Sequence, residues 1–295
     1  MTNETAVSSN IVKDYIAITK PRVMSLLLIT ALGGMFLATK GVPDLYYIAL
    51  VLICGSMASG GASAINQGLD KELDKQMTST STRPVVAVRI KPHQALFFGV
   101  SLNVIAFVAL SVLVNPLSGI LTIIATFIYV FVYTIGLKRK TSQNIVIGGA
   151  AGSIPPMIGW AAITNQIEVP AIFLFAIIFL WPPPHFWALA LILKDDYTKA
   201  QVPMLPVIVG IESTKRHILV YTFSVVALTL IFASTTSVGW IYFGFAVGLG
   251  SVFIIYALRL VKLPDIEGAK ALFICSTIYL ALLFVGIMID SSISI

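Results

Sequence analysis

Residues 45–84 read LYYIALVLICGSMASGGASAINQGLDKELDKQMTSTSTRP, and the point at which this stretch changes character decides the fold. Its first part, to residue 67, is an apolar run of the length that crosses a hydrocarbon core, for which about 20 residues suffice. Acidic chemistry then begins with no linker between. Asn66, Asp70 and Asp74 are spaced i, i+4, i+8, which at about 100° per residue puts them within about 80° of one another on a helix. Two carboxylates on one stripe repel unless cations lie against them, either basic side chains or metal ions. Hard oxygen donors so arranged suit Mg²⁺, which keeps several waters and takes phosphate oxygens as its remaining ligands. One reading is therefore a metal–diphosphate site. The other is a solvated helix end in which Lys71 and Lys75 are the ion-pair partners.

Outward from this stretch the same apolar runs recur, near residues 21–39, 45–67, 93–113, 117–136, 144–163, 169–192, 217–234, 238–260 and 270–288. With 58% hydrophobic residues, 11% charged residues and a mean hydropathy of +0.95, a soluble globular domain is excluded. The chain is expected to be a single integral membrane domain over 1–295. Residues 1–20 carry Glu4, Lys13, Asp14 and Lys20 with no apolar core ahead of them, which reads as a short cytoplasmic tail and not a cleaved signal. Cys54 and Cys275 lie in apolar runs, where a thiol is most simply a small hydrophobe, and neither a disulfide framework nor zinc spacing is present.

The net charge of +6 takes its meaning from where it sits. Lys71, Lys75, Arg83, Arg89 and Lys91 fall in the second connection, Lys138, Arg139 and Lys140 in the fourth, Lys194, Lys199, Lys215 and Arg216 in the sixth, and Arg259, Lys262 and Lys270 at the eighth. With Lys13, Lys20 and Arg22, every basic residue but Lys40 lies on one side. The positive-inside rule makes that side the cytoplasm and puts the N-terminus inside and the C-terminus, from Asp290 to Ile295, outside. Basic residues that follow topology so closely need no nucleic-acid partner. The two long connections, 68–92 and 193–216, both face this side, and long connections in a compact bundle are usually functional.

The second of them opens with Lys194, Asp195, Asp196 and Tyr197. Adjacent residues point about 100° apart on a helix, so this pair of carboxylates does not chelate as the first trio would. One faces a shared metal while the other caps or pairs, or the stretch is a polar helix end with Lys194 and Lys199 beside it. A diphosphate also needs cations from the protein, for which Arg83, stiffened by Pro84, and Lys138 and Arg139 are candidates. Lys138, Arg139 and Lys140 read equally as topology anchors. Asn144 opens a fifth span rich in Gly148, Gly149, Gly152, Pro155 and Pro156, where small residues allow close helix packing and prolines free backbone carbonyls. His185 follows three prolines and lies between Trp181 and Trp187. It is either a packing residue or, being ionisable within a membrane, a functional one that ligates iron or moves a proton.

Together, the trio Asn66/Asp70/Asp74 with Met77 and Arg83-Pro84, then YTIGLKRKTSQNIVIGGAAGSIPPMIGWAA, PPHFWALAL and DDYTKAQVPMLPV, resemble the protohaem IX farnesyltransferases of the UbiA-type membrane prenyltransferase superfamily. The match runs in order from Thr19-Lys20-Pro21-Arg22 to Pro206. The last three helices are similar mainly in hydropathy. The resemblance implies an all-α integral membrane bundle of nine transmembrane helices over 21–288 with the N-terminus cytoplasmic. It implies transfer of farnesyl from farnesyl diphosphate to a vinyl group of haem B, with addition of water, giving haem O and diphosphate. It further implies a cell-membrane enzyme whose active site faces the cytoplasm and whose product serves a haem A synthase or a terminal oxidase. Carried over by position, Asn66, Asp70 and Asp74 correspond to the first Mg²⁺–diphosphate motif and Asp195 and Asp196 to the second. Arg83, Lys138, Arg139, Asn144, Lys194 and Tyr197 form the expected substrate-binding set, and His185 the haem-side histidine. The chain departs from the family pattern at Ser79, where an arginine is usual, at Pro182, where a polar residue is frequent, and at Gln201, where glycine is common. The second motif also lacks the DxxxD form, since Leu191 and Ile192 precede the acidic pair by four. The rival readings are a UbiA-type enzyme acting on a quinone precursor, which lacks QNIVIGGAAG and PPHFWALAL, and a transporter or haem carrier, whose charges belong near the bilayer midplane.

Overall fold

The computed structural model describes residues 10–293, and all regular structure among them is helical. Nine helices of these residues are long and apolar enough to cross a membrane: Pro21–Thr39, Leu45–Leu69, Pro92–Leu113, Pro116–Leu137, Asn144–Thr164, Val169–Ile192, Ile211–Ala233, Trp240–Lys262 and Ala269–Ile293. Three of the nine are interrupted, each for a readable reason. The elements in order are α1 (Ile11–Ile18), α2 (Pro21–Thr39), α3 (Leu45–Leu69), α4 (Lys71–Gln76), α5 (Pro92–Leu113), α6 (Pro116–Phe127) continued by a π-helix (Ile128–Leu137), α7 (Asn144–Ser153) and α8 (Pro155–Thr164). They continue as α9 (Val169–Leu180), α10 (Pro182–Ile192), α11 (Lys194–Lys199), α12 (Leu205–Ile208), α13 (Ile211–Ala233), α14 (Trp240–Lys262) and α15 (Ala269–Ile293). Pro155 and Pro156 divide the fifth span, and Pro182 to Pro184 divide the sixth at Trp181. Prolines have no N–H to give to the carbonyl four residues earlier, so Ile178, Phe179 and Leu180 lose their usual donors. The Ile178 carbonyl is taken up by the Trp181 N–H at 3.3 Å.

Two span ends differ from the sequence reading. The seventh span begins at Ile211 rather than near residue 217, because Lys215 is fully buried and its ammonium donates to the Leu263 carbonyl and to Glu212, each at 2.8 Å. A stretch that reads as loop from its charge thus closes the end of α14. The ninth span runs to Ile293 rather than 288. Asp290 lies inside it, buried, and accepts from the backbone N–H groups of Gly239 at 2.6 Å, Ile241 at 3.2 Å and Tyr242 at 3.3 Å. Its carboxylate supplies the cap that the first turn of α14 lacks in its own sequence.

The tightest pairing is α3 with α5. A Cβ on Gly61 would lie 2.6 Å from the Gly99 carbonyl oxygen, and one on Gly99 would lie 2.5 Å from that of Gly61, so only glycine at both positions lets the backbones meet. This holds the polar end of α3 against the first long connection. The main core lies among α9, α10, α13, α14 and α15, where Trp187, Phe232, Tyr242, Phe253, Tyr279 and Phe284 are buried. Within residues 1–20, residues 11–18 form α1; residues 1–9 lie outside those described. Asp14 of α1 pairs with Arg89 at 2.9 Å, and the Ile18 carbonyl accepts from Ser63 Oγ and Gln67 Nε2 of α3, both at 2.8 Å. Helix α1 therefore delivers Thr19 and Lys20 to the same end of α3 that carries the acidic residues.

Gln201, in the second long connection, has φ +53°, a left-handed conformation that favours the glycine of the resembling family. Gln201→Gly is expected to raise the unfolding temperature in detergent, by up to about 1 kcal/mol of stability. The left-handed cost of about 1–2 kcal/mol outweighs the about 0.5–1 kcal/mol of extra chain entropy that glycine brings. A lower midpoint would mean that the Gln201 side chain stabilises the loop by more than this.

Candidate functional site

The stripe read from the sequence survives a break in the helix. Helix α3 ends at Leu69 and α4 starts at Lys71, yet the Asp70 N–H still reaches the Asn66 carbonyl at 2.9 Å and the Asp74 N–H that of Asp70 at 2.8 Å. Asn66, Asp70 and Asp74 are 3%, 1% and 2% exposed, so their charge must be met from within the protein. Lys71 and Lys75, the neighbours in sequence, form no ion pair with them among the described residues. The partners come from farther along the chain. Lys138 Nζ lies 2.5 Å from Asp70 Oδ2, Arg139 Nη2 is 3.3 Å from Asp70 Oδ1, and Arg83 Nη1 is 2.6 Å from Asp74 Oδ2.

Each cation is aimed by local structure. Arg83 follows a tight turn in which Thr80 Oγ1 donates to the Asp74 carbonyl at 2.7 Å and the Arg83 N–H to the Thr80 carbonyl at 3.0 Å. Lys138 leaves the end of the π-helix, where its N–H bonds to the Tyr133 carbonyl five residues back at 2.9 Å. Thr134 in that π-helix donates to the Tyr129 carbonyl at 2.8 Å and accepts from Asn66 Nδ2 at 3.1 Å. Such widened turns are rare and frequently mark functional sites. Asn144 is fully buried and spends its amide N–H groups on the carbonyls of Lys138 at 3.3 Å and Thr141 at 2.8 Å, clasping the turn that presents Lys138 and Arg139.

The donor set fits a hard divalent cation. Asn66 Nδ2 also donates to Asp70 Oδ2 at 2.8 Å, which leaves the Asn66 amide oxygen and Asp74 Oδ1 without hydrogen-bond donors among the described residues. These are oxygen ligands one turn pair apart, of the kind Mg²⁺ takes together with phosphate. The second acidic stretch is placed differently. Asp196 Oδ2 accepts from the Ser79 backbone N–H at 2.9 Å, joining the two long connections, and this bond, first among several, holds its carboxyl below the usual range. Ser79, the position of the missing arginine, therefore meets Asp196 first through its main chain and also through its hydroxyl, with Thr78 beside it. Asp195 is exposed and makes no hydrogen bond or ion pair among the described residues. Tyr197 packs beside Leu73, Met77 and Val202, and burial pushes its hydroxyl above the usual phenol value. Lys194 is half-buried, and its ammonium has no carboxylate within ion-pair distance among the described residues. As the side chains stand, no three His, Cys, Asp or Glu among the described residues cluster for a metal. The carboxylates face cations and backbone instead.

One residue at this site was read only as a topology charge. Lys20 precedes Pro21 and has φ 51°, ψ 61°, a strained left-handed state reached where proline disfavours the right-handed one. Its ammonium lies in the field of Arg83, Lys138, Asp74 and Asp70, and its pKa falls to about 7, first by burial and then by the two cations. Its sequence signals are the Lys20-Pro21 dipeptide at the mouth of the first span and its place in Thr19-Lys20-Pro21-Arg22, where the family resemblance begins. His185 belongs to a separate cluster. It is buried between Trp181 and Phe273, with ring centroids 4.2 Å and 4.4 Å away, and Nδ1 lies 2.7 Å from Ser276 Oγ.

The pattern of the UbiA prenyltransferase family matches residues 27–285. A protoheme IX farnesyltransferase 1 of Saccharopolyspora erythraea is 45% identical over 284 residues, covering 95% of this chain and 90% of its own. A protoheme IX farnesyltransferase of Gloeobacter violaceus is 46% identical over 279 residues, covering 94% and 92%. Among solved structures, a digeranylgeranylglyceryl phosphate synthase superposes with a TM-score of 0.78 at 18% identity over 96% of this chain and 99% of its own. A UbiA homolog from Archaeoglobus fulgidus bound to GPP and Mg²⁺ superposes with 0.63 at 15% identity over 93% and 99%. At these identities the two structures establish the fold alone.

Because Asp70 is buried and Lys138 is its closest cation, the pair is expected to be coupled. In a double-mutant cycle read by thermal unfolding, Lys138→Met alone should destabilise more than Lys138→Met combined with Asp70→Asn, with a coupling of about 1–3 kcal/mol. Additive effects would show that the ion pair carries no net interaction.

Proposed function

The chain belongs to the UbiA prenyltransferase family, and from that premise we propose that it transfers the farnesyl group of farnesyl diphosphate to a vinyl group of haem B with addition of water, giving haem O and diphosphate. The observation that carries the reading is the extent of the likeness to protoheme IX farnesyltransferases, about nine-tenths of both chains at 45% and 46% identity. The site geometry supports the diphosphate half of the chemistry. Arg83, Lys138 and Arg139 stand on the carboxylates of Asp74 and Asp70, and an arriving diphosphate offers these cations a stronger, multiply charged acceptor. Its binding would release the carboxylates from these cations, and with the already unpartnered Asn66 amide oxygen they would hold Mg²⁺. When bound, that ion supplies Lewis-acid stabilisation of the departing diphosphate.

In the transfer, the bond between farnesyl C1 and the diphosphate oxygen breaks and the electron pair leaves with diphosphate. The terminal carbon of the haem vinyl forms the new C–C bond to C1, and the adjacent carbon, left cationic, takes a water oxygen and releases a proton. Arg83, Lys138 and Arg139 hold the leaving group by charge and orientation. Their positions are fixed in advance by Thr80, Thr134 and Asn144, so little reorganisation is needed as charge develops. The distribution of basic residues supports a site on the cytoplasmic side of the membrane, with the N-terminus inside. Asp196, tied to Ser79, keeps the two long connections together over this site, and a second metal there would also draw on Asp195.

Expression in a host lacking its own haem O synthase should yield an extractable haem heavier than haem B by a hydrated farnesyl group in mass spectrometry. Asp70→Ala or Asp74→Ala should abolish it while the protein remains folded in the membrane. Haem B alone from the folded wild-type chain would overturn the acceptor assignment.

Lys20 adds a pH dependence with a definite sign. Its pKa of about 7 against an ordinary 10.5 leaves the amine largely neutral between these values, whereas an anion beside it favours the ammonium. Binding of inorganic diphosphate with Mg²⁺ at a pH between the two should therefore take up a proton. Calorimetry in buffers of different ionisation enthalpy should show greater uptake in the wild type than in Lys20→Met. Equal uptake in both would mean that the amine does not meet the diphosphate.

A further inference from the structure

The haem-side histidine carries information about its own proton. His185 Nδ1 lies 2.7 Å from Ser276 Oγ on α15, and the Phe273 carbonyl of the same helix is also within hydrogen-bonding reach of the ring. A hydroxyl has one proton to give. Ser276 gives its proton to the Phe273 carbonyl at 2.8 Å, one turn back on its own helix. In that arrangement the oxygen meets Nδ1 with a lone pair and the proton between them belongs to the ring; turned the other way, the hydroxyl would donate to Nδ1 and give the opposite tautomer. A neutral imidazole with Nδ1–H has its lone pair at Nε2. The ring has no freedom to exchange its nitrogens. Trp181 stacks on it at 4.2 Å and 20°, Phe273 at 4.4 Å and 23°, and Trp181 is itself held by its indole N–H donated to the Ser276 carbonyl at 2.8 Å.

We infer that Ser276 is a positioning residue for prenyl transfer, holding His185 as the Nδ1–H tautomer so that the Nε2 lone pair is presented to the haem iron. The inference rests on the reading of His185 as facing haem and goes beyond it by naming the atom, the tautomer and the residue that sets them. Two features favour an iron ligand over a proton carrier. A ring clamped on both faces and at Nδ1 offers a single lone-pair direction, and an oxygen behind the N–H is what fixes the ring and raises the basicity of metal-bound imidazoles. The hydrogen-bond chain from Nδ1 through Ser276 ends on a backbone carbonyl, which has no proton to pass and takes none. A flat acceptor held through its iron would keep its vinyl group at a fixed height relative to the diphosphate site. Ser276 lies in FICSTIYL on the last helix, outside every motif that carries the family resemblance.

The test uses the full-length protein in nanodiscs with His93→Gln and His217→Gln, which leave His185 as the sole histidine. Nitrogen-15 NMR of the labelled ring should show a protonated Nδ1 and a bare Nε2, and Ser276→Ala should shift the population toward the other tautomer. In the wild-type sequence, haem B titrated without farnesyl diphosphate should give a histidine-ligated absorption and EPR signature. Ser276→Ala should weaken that binding about tenfold or more, with Ser276→Thr restoring it and with binding of inorganic diphosphate and Mg²⁺ unchanged. If His185→Ala leaves the haem signature intact, the haem-facing reading fails and the inference with it. If His185→Ala removes the signature while Ser276→Ala changes neither tautomer nor affinity, the reading stands and Ser276 is a packing residue only. A Ser276→Ala variant that is less thermostable but spectroscopically wild-type overturns the inference in the same way.

Discussion

Asp70 and Asp74 are buried carboxylates at a helix break, and much of the cytoplasmic-side architecture follows from the need to neutralise them. An unpaired buried charge is among the most costly features a fold carries, and here each has a cation from a different element. Lys138 ties the end of the fourth span to α3, Arg83 ties the first long connection to α4, and Arg139 reinforces the first of these. The π-helix, the turn at Thr80 and the buried Asn144 are intelligible as devices that set where those cations end. Even the glycine contact between α3 and α5 contributes, because it fixes the helix whose last turn bears the stripe.

The balance of charge points to what such a site waits for. Lys20, Arg83, Lys138 and Arg139 are four basic groups around the two carboxylates Asp70 and Asp74, an excess that a pair of aspartates does not offset. Lys20 shows the consequence, since its amine loses protons near neutrality with cations on its flank. Strained backbone at a functional position is stable only when the surroundings over-determine it. At Lys20 they do so through the Ile18 carbonyl, held by Ser63 and Gln67, and through Pro21. In the proposed reaction, a multiply charged anion with a divalent cation would complete this set.

How much of this was legible depends on whether the determining contact is local. The nine spans were, because hydropathy over about 20 residues is a property of the segment itself, and so was the face shared by Asn66, Asp70 and Asp74, which helical spacing gives directly. The identity of their partners was not. Lys71 and Lys75 are the obvious neighbours in sequence and pair with neither carboxylate, whereas Lys138 lies 68 residues from Asp70. Lys20 was legible as a charge on the basic side and not as a member of the site, since only the turn between α1 and α2 brings it there. The same holds for Glu212, Lys215 and Arg216, whose polarity reads as loop although they form the first turns of α13. The departures from the family pattern have a geometric counterpart: Gln201 occupies a left-handed position, and Ser79 binds Asp196 through both its amide and its hydroxyl.

The proline run of the sixth span shows how a local break carries a long-range arrangement. Three missing N–H groups would be a plain loss in a buried helix, since carbonyls deprived of donors are costly in a membrane. The break instead falls at Trp181, whose N–H and indole bond to the Ile178 and Ser276 carbonyls. Four residues beyond Trp181, His185 stacks on it and meets Ser276 from the last helix. His185 has no ion pair among the described residues, and its walls are aromatic. The proposed alkylation would use this division, with charge where the leaving group departs and a neutral, rigid enclosure where the new carbon–carbon bond forms. The acidic stripe of α3 and the prolines of α10 are the two local features from which that division is built.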